Sequence, residues 1–148
     1  MSGTGDLQGT MFIAGKRVSG GEALFRATDP ATCAELEPAY PEAGVSHLDA
    51  AADAAARAFA DYRRTSAAER AAFLRSIADG IDAAPGLVER VHAESGIATE
   101  RIEAERTRTT NQLRLFADVV LEGSYQGLRI DSGDPDRTPL PKPDLRHR

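Results

Sequence analysis

Residues 46–122 contain the pattern that most restricts what this chain can fold into, because their apolar side chains recur at steps of three and four. That spacing places the apolar side chains on one face of an α-helix. Local signals divide the segment into four amphipathic helices, the last running from about residue 99 to residue 121. The signals that begin or end these helices are an N-cap at Ser46, a capping box at 66–69, a first-turn proline at Pro85, and terminal glycines at Gly96 and Gly123.

The core that these helices can form is thin. The chain has 148 residues, of which 26 are alanines, and its aromatic residues are five phenylalanines and three tyrosines without tryptophan. Alanine buries little apolar area, so the helices must pack closely or receive apolar surface from another chain. The predicted apolar faces comprise Leu48, Ala52, Ala55, Phe59 and Tyr62; Phe73, Leu74, Ile77 and Ile81; Leu87, Val88 and Val91; and Ile102, Thr109, Leu113, Phe116 and Val120.

Short strands precede the helices. Residues 11–18 read as a β-hairpin because Gly15 supplies the positive φ that a tight turn needs. Phe25, Ala27 and Leu36 alternate as in a half-buried strand, and the sequence at 28–32 (Thr-Asp-Pro-Ala-Thr) is typical of an Asx turn. A sheet of so few strands is marginal by itself and is expected to pack on other elements.

After Gly123 the chain changes character. The sequence predicts a strand at 124–130, and prolines at 135, 139, 141 and 143 favour an extended path. The predicted organisation is therefore α+β but mainly α: a flexible N-terminus (1–10), short β pieces and four amphipathic helices (11–123), and an extended C-terminal arm (124–148).

Composition excludes several classes of function. A net charge of −5 and a pI near 5.2 argue against nucleic-acid binding, which needs a concentrated basic surface. No apolar run approaches the ~20 residues that span a bilayer, and the first ten residues lack the features of a secretory signal. A single cysteine excludes an internal disulfide and a cysteine-based zinc cluster. We therefore expect a cytoplasmic protein that binds neither membranes nor nucleic acids.

The usual catalytic and metal-binding patterns do not occur. Cys33 lies in a turn with no histidine within ten residues, so nothing nearby would activate it as a nucleophile. His47, His92 and His147 are isolated from one another and form no spaced pair of metal ligands. Neither of the glycine-rich phosphate-binding motifs is present. We assign no catalytic, metal or cofactor-binding residue in this chain.

The candidate binding residues are Arg108 and Gln112. They lie one turn apart on a helix face, shared with Arg101, Glu105 and Leu115, that differs from the apolar stripe. A guanidinium and an amide so placed could together bind a carboxylate. The alternative is an exposed face on which Arg108 forms an ion pair with Glu105, and the pattern alone favours that alternative.

The order of motifs resembles the N-terminal part of the aldehyde dehydrogenases. The residues that carry this resemblance are MFIAGKRVSG, ATDPATCAEL, the helical stretch from AGVSHLDAAADAA to LRSIADGI, and ESGIATERIEAERTRTT. Within the superfamily, the sequences at 62–81, 105–120 and 129–146 resemble the alpha-ketoglutaric semialdehyde (2,5-dioxovalerate) dehydrogenases. The likeness extends over about residues 11–146.

The resemblance implies a helical layer beside a cofactor domain, followed by an arm that bridges subunits. It also implies that the catalytic cysteine, the general-base glutamate and the Rossmann sheet lie in parts of the fold that these residues do not match. Cys33 does not match the nucleophile and stands where the family's turn usually has glycine. The helix carrying Arg108 matches one that lines the substrate tunnel, which favours Arg108, and less strongly Gln112, as contacts for a substrate carboxylate.

The sequence departs from the family pattern on this helix and just before it. Ala104, Thr107 and Asn111 stand where the family tends to have glycine, and Ala98 stands where it tends to have proline. These added side chains could narrow a tunnel, so the exact aldehyde is left open.

Three hypotheses follow. The chain is part of an NAD(P)-dependent aldehyde dehydrogenase, homo-oligomeric as its full-length relatives are expected to be, and is inactive alone. Alternatively, it is an interaction module that associates with a larger dehydrogenase subunit. The third hypothesis, an unrelated helical protein with a disordered tail, is the least consistent with the motifs. The sequence does not distinguish NAD from NADP.

Overall fold

The computed structural model describes residues 7–128 and 132–143. Four short strands precede four helices, and a single turn of 3-10 helix follows at Ser124–Gln126. The strands are β1 (Met11–Ile13), β2 (Lys16–Val18), β3 (Leu24–Thr28) and β4 (Glu35–Pro41), and the helices are α1 (Val45–Tyr62), α2 (Ala67–Ala83), α3 (Leu87–Ser95) and α4 (Thr99–Glu122). The predicted mainly helical organisation with short strands is confirmed. No helix in the described part combines the length and the apolar character that a bilayer-spanning segment requires.

The first hairpin forms as its sequence predicts. β1 and β2 pair antiparallel, with Ile13 opposite Lys16. Ala14 and Gly15 between them have φ of 51° and 74°. Positive φ at both central residues is the geometry of a two-residue hairpin turn whose twist matches that of the strands.

β3 and β4 form a second antiparallel pair, with Ala27 opposite Leu36; these two residues are half-buried as the alternation predicts, whereas Phe25 is exposed. The Asx turn is also confirmed, because the Asp29 Oδ1 accepts a hydrogen bond from the backbone N–H of Ala31 at 2.8 Å. This hydrogen bond is the largest cause of a lowered pKa for Asp29. Cys33 ends the turn with φ of 58°, a left-handed conformation that favours glycine.

The helix starts confirm one prediction and correct two. Before α2, Ser66 Oγ accepts from the N–H of Glu69 while the Glu69 carboxylate accepts from the N–H of Ser66, so the capping box is confirmed. Ser46 is not an N-cap, because α1 already begins at Val45 and its N-cap is Gly44, whose N–H donates to His47 Nδ1 at 3.1 Å.

Pro85 was expected within the first turn of α3, and the structure places it before the helix. Gly86, with φ of 68°, is the N-cap, and a left-handed residue at this position delays helical geometry until Leu87. At the other ends, Gly96 and Gly123 adopt left-handed conformations and terminate α3 and α4 as predicted.

The most deeply buried part of the core lies between α2 and α4 and is built from small side chains, with Val88 and Ile102 also buried. Ala71 and Ala78 on α2 and Ala117 on α4 are completely buried. Thr110, also on α4, is only 2% exposed. In each helix the two small residues are seven positions apart, and therefore lie on the same face two turns apart. The alanine-rich composition is thus used to bring two helices close together.

This packing corrects the predicted apolar stripes. Phe73 on α2 and both Thr109 and Phe116 on α4 are exposed, whereas the small residues beside them are buried. On α1 the stripe from Leu48 to Tyr62 is also exposed, and this helix has no buried residue. On α2 and α4 the predicted faces are therefore rotated away from the buried ones, whereas Val88 on α3 and Ile102 on α4, both in the predicted stripes, are buried.

Ion pairs border the α2–α4 contact on one side. Arg75 pairs with Asp118 at 2.6 Å, and Arg114 on α4 pairs with both Asp79 and Asp82 on α2 at 2.8 Å. The hydrogen bonds that the guanidinium donates to Asp79 and Asp82 raise the pKa of Arg114, and the bond to Asp82 is the main cause of a lowered pKa for that carboxyl. These exposed pairs link α4 to α2 beside the buried small residues.

In the described part of the chain, contacts from α1 and α3 attach the strands to the helices. α1 lies beside β1, with Ala51, Ala54 and Ala58 facing Phe12 and Ile13 across an open apolar groove. From α3, the guanidinium of Arg90 donates to the backbone carbonyl of Glu37 on β4.

The described part of the C-terminal arm departs from the predicted extended path. The expected strand at 124–130 is instead a 3-10 turn at Ser124–Gln126, bracketed by the left-handed Gly123 and Gly127; residues 129–130 of that prediction lie outside the described residues. Further on, Asp134 and Lys142 exchange backbone hydrogen bonds of 2.9 and 2.8 Å. The arm therefore reverses direction between these two residues.

Candidate functional site

The candidate site lies on the exposed side of α4, which its packing on α2 leaves free. Arg101, Glu105, Arg108, Gln112 and Leu115, the five residues expected to share a polar face, are all exposed. The buried Thr110 and Ala117 fix the rotation of the helix and so determine where this face points.

Arg108 forms an ion pair with Glu105, one turn earlier in the helix. Its Nε lies 2.7 Å and its Nη2 2.5 Å from the same carboxylate oxygen, Oε2. The Arg108 side chain is 71% exposed and that of Glu105 49%. The ion-paired surface that the sequence pattern favoured is therefore present, and the pair is open to solvent.

Arg108 and Gln112 also lie on the rim of an open groove of about 250 Å³. The remaining lining residues are Thr109, Leu113 and Phe116, and Phe116 is 50% exposed. Along α4 the lining therefore begins with the charged Arg108 and ends with the apolar Phe116, about two turns further on. This arrangement suits a short carbon chain that carries a carboxylate at one end.

Sequence reasoning assigned the three other lining residues to the core and so missed them as site residues. Their positions on the helical wheel fall between the buried small residues and the polar face. If Thr110 and Ala117 had been recognised as the packing surface, the angular separation of Phe116 from them on the helical wheel would have identified it as a site residue.

The other chemically reactive side chains do not join this site. Cys33 is exposed in its turn, His47 caps α1, and His92 Nδ1 contacts the carbonyl oxygen of Ile97 at 2.6 Å. His147 lies outside the described residues. Within residues 7–128 and 132–143, no group of three His, Cys, Asp or Glu side chains could hold a metal ion.

The chain matches known proteins over most of its length. The sequence profile of the aldehyde dehydrogenase family matches residues 18–140. Alpha-ketoglutaric semialdehyde dehydrogenase 2 of Azospirillum brasilense is 43% identical over 95% of this chain and 27% of its own length. The alpha-ketoglutaric semialdehyde dehydrogenase of Acinetobacter baylyi is 36% identical over 93% of this chain and 26% of its own length. The chain thus spans about a quarter of the length of these curated relatives.

A solved structure shows the same architecture. The NAD-dependent benzaldehyde dehydrogenase from Corynebacterium glutamicum superposes with a TM-score of 0.69 at 26% identity, covering 90% of this chain and 28% of that protein. The short strands and four helices described above therefore match the corresponding part of a known dehydrogenase. Profile, sequence and fold agree: the chain belongs to the aldehyde dehydrogenase family.

Proposed function

We propose that this chain forms one wall of the substrate site of an NAD(P)-dependent aldehyde dehydrogenase that oxidises alpha-ketoglutaric semialdehyde to 2-oxoglutarate. The observation that carries the proposal is the groove on α4, where Arg108 and Gln112 adjoin Leu113 and Phe116. The two curated relatives, 43% and 36% identical, bear the name of this activity.

In this proposal Arg108 binds the substrate carboxylate. A guanidinium matches the two oxygens of a carboxylate in charge and geometry. Gln112, one turn further along α4, offers an amide to the same carboxylate, while Leu113 and Phe116 contact the carbon chain. The residues of this chain therefore orient the substrate and select for a carboxylate at the end distant from the aldehyde.

The oxidation itself is assigned to other parts of the dehydrogenase. NAD or NADP, when bound, accepts the hydride that the aldehyde carbon loses. The chain contains neither the G-x-G-x-x-G nor the P-loop sequence. No residue here is given a role in hydride transfer.

The test compares Arg108→Ala with Arg101→Ala in a chimera. Residues 7–128 of this chain replace the matching segment of the Azospirillum brasilense relative, and aldehyde-dependent reduction of NAD and NADP is measured. Since a hydrogen bond to a charged group contributes about 1.5–3 kcal/mol, and exposure reduces this, we expect Arg108→Ala to raise the KM for alpha-ketoglutaric semialdehyde about tenfold. The KM for pentanal, a neutral aldehyde of the same chain length, should be unchanged.

Arg101→Ala is the matched control, because Arg101 is an exposed arginine on the same helix face but does not line the groove. It should leave both KM values unchanged. An Arg108→Ala chimera that binds both aldehydes as well as the parent, or loses both equally, would contradict the carboxylate-binding role.

The exposed apolar side chains support a second candidate, an interaction module that associates with a larger dehydrogenase subunit. Phe73 and Phe116 are each about half exposed, and helical position places both on the side of the α2–α4 pair opposite the ion pairs. The intact mass of the polypeptide in its native cells separates the candidates. A mass near 15.8 kDa that co-purifies with a dehydrogenase favours the module, whereas a mass several times larger favours a single dehydrogenase polypeptide.

A further inference from the structure

The guanidinium of Arg108 is already engaged by a carboxylate of the protein itself. Both Nε and Nη2 contact Oε2 of Glu105, which lies three residues earlier and so toward the N-terminal end of α4. Gln112 lies in the opposite direction along the helix. Among the hydrogen bonds and ion pairs of the described residues, none joins Arg108 to Gln112.

We infer that Glu105 is a specificity-determining residue: an internal carboxylate that occupies Arg108 and that a substrate carboxylate must displace before Arg108 can act together with Gln112. The inference rests on the proposed role of Arg108 as the substrate-carboxylate contact. It adds a residue, Glu105, that competes with the substrate carboxylate and so lowers the affinity of the site for it.

The pair is weak enough to be exchanged. Ion pairs between solvent-exposed side chains contribute little net free energy, because water screens the charges and two flexible side chains must be ordered. Both side chains here are about half exposed or more, so an incoming carboxylate can replace Glu105 at modest cost. A neutral ligand offers the guanidinium nothing in exchange and leaves the pair intact.

Removing the Glu105 charge therefore strengthens carboxylate binding in two ways. Arg108 no longer has to leave a partner, and the incoming carboxylate no longer approaches a like charge. An exposed pair of this kind predicts a gain of about two- to fivefold in affinity. The gain is confined to ligands that carry a carboxylate.

The experiment follows the Arg108 side chain by NMR in the full 148-residue chain. The Nε–Hε signal of Arg108, assigned by its loss in Arg108→Lys, is titrated with glutarate in the wild type, in Glu105→Gln and in Glu103→Gln. Glutaramide is the neutral probe. Glu103 is the matched control, because it is an exposed glutamate of α4 whose carboxylate is not paired with Arg108.

The expected result is that glutarate shifts the Arg108 signal in all three proteins, with a dissociation constant two- to fivefold lower in Glu105→Gln than in the other two. Glutaramide should shift it in none. If glutarate shifts the signal but binds Glu105→Gln no more tightly than the wild type, the competition by Glu105 is refuted and the role of Arg108 survives. If glutarate shifts the signal in none of the three proteins, the carboxylate-binding role fails and the competition fails with it.

Discussion

Replacing Ala78 with leucine should lower the free energy of unfolding by about 1–3 kcal/mol, the usual cost of extra methylene groups in a well-packed core. Ala78 is completely buried on the face of α2 that packs against α4. Leucine adds three carbon atoms where the helices leave no solvent-accessible space, so α4 must move away or the side chain must adopt a strained rotamer. For a chain of this size the loss corresponds to a fall in Tm of about 2–12 °C.

Ala72→Leu is the matched control, because Ala72 lies on the same helix and is exposed. Alanine and leucine have similar helix propensity, so this change should alter stability by less than about 0.5 kcal/mol. Both variants are compared with the wild type by urea unfolding followed by circular dichroism. Equal stability of the two leucine variants would refute the close packing of α2 on α4.

A milder substitution covers the case in which Ala78→Leu does not fold. Glycine costs about 1 kcal/mol relative to alanine in any helix interior, and the loss of a buried methyl group adds about 0.8 kcal/mol. Ala78→Gly should therefore be about 0.8 kcal/mol more destabilising than Ala72→Gly. No difference between the glycine pair would count against the same packing argument.

Two further predictions concern local geometry. The pKa of Glu69 is lowered, chiefly by the hydrogen bond from the backbone N–H of Ser66. Glu69 therefore stabilises the folded chain at pH above its ordinary pKa, and this contribution is lost as pH falls through the lowered value. The Tm difference between wild type and Glu69→Gln should accordingly vanish in acid, and a pH-independent difference would contradict this. Cys33→Gly should raise the free energy of unfolding by up to about 1 kcal/mol, because glycine removes the left-handed strain at φ 58°, whereas Cys33→Ala keeps that strain and should show no gain in the same thermal unfolding assay.

Several elements could be predicted from local signals. The capping box at Ser66, the terminal glycine Gly123 and the hairpin turn at Gly15 each depend on residues within a few positions of one another. Such signals act through backbone geometry and nearby hydrogen bonds, but they do not always fix the first residue of a helix, as Ser46 and Pro85 show.

The direction of the helix faces could not be obtained in the same way. Large apolar residues such as Phe73 and Phe116 normally mark the buried face, but here the alanines set the distance between α2 and α4. Which face is buried depends on the partner helix, and a pattern within one helix does not contain that information.

The candidate site could be predicted only in part. Arg108 and Gln112 could be placed on a common exposed face from spacing alone. Their carboxylate role came from family resemblance and remains a prediction, since the exposed face is equally compatible with the ion pair to Glu105 that the structure contains.

The seven-residue spacing of the small side chains also fixes the position of α4 along α2. A slip of α4 by one residue would move it only about 1.5 Å but would turn it by 100°, bringing Asn111 and Asp118 to the places of Thr110 and Ala117. A buried, unpaired carboxylate makes that position unfavourable, and a slip of seven residues has the same cost because it would bring Glu103 to the place of Thr110. The direction in which Arg108 points is therefore set by four small buried side chains, Ala71, Ala78, Thr110 and Ala117. Substitutions around the groove can change the ligand without rotating α4.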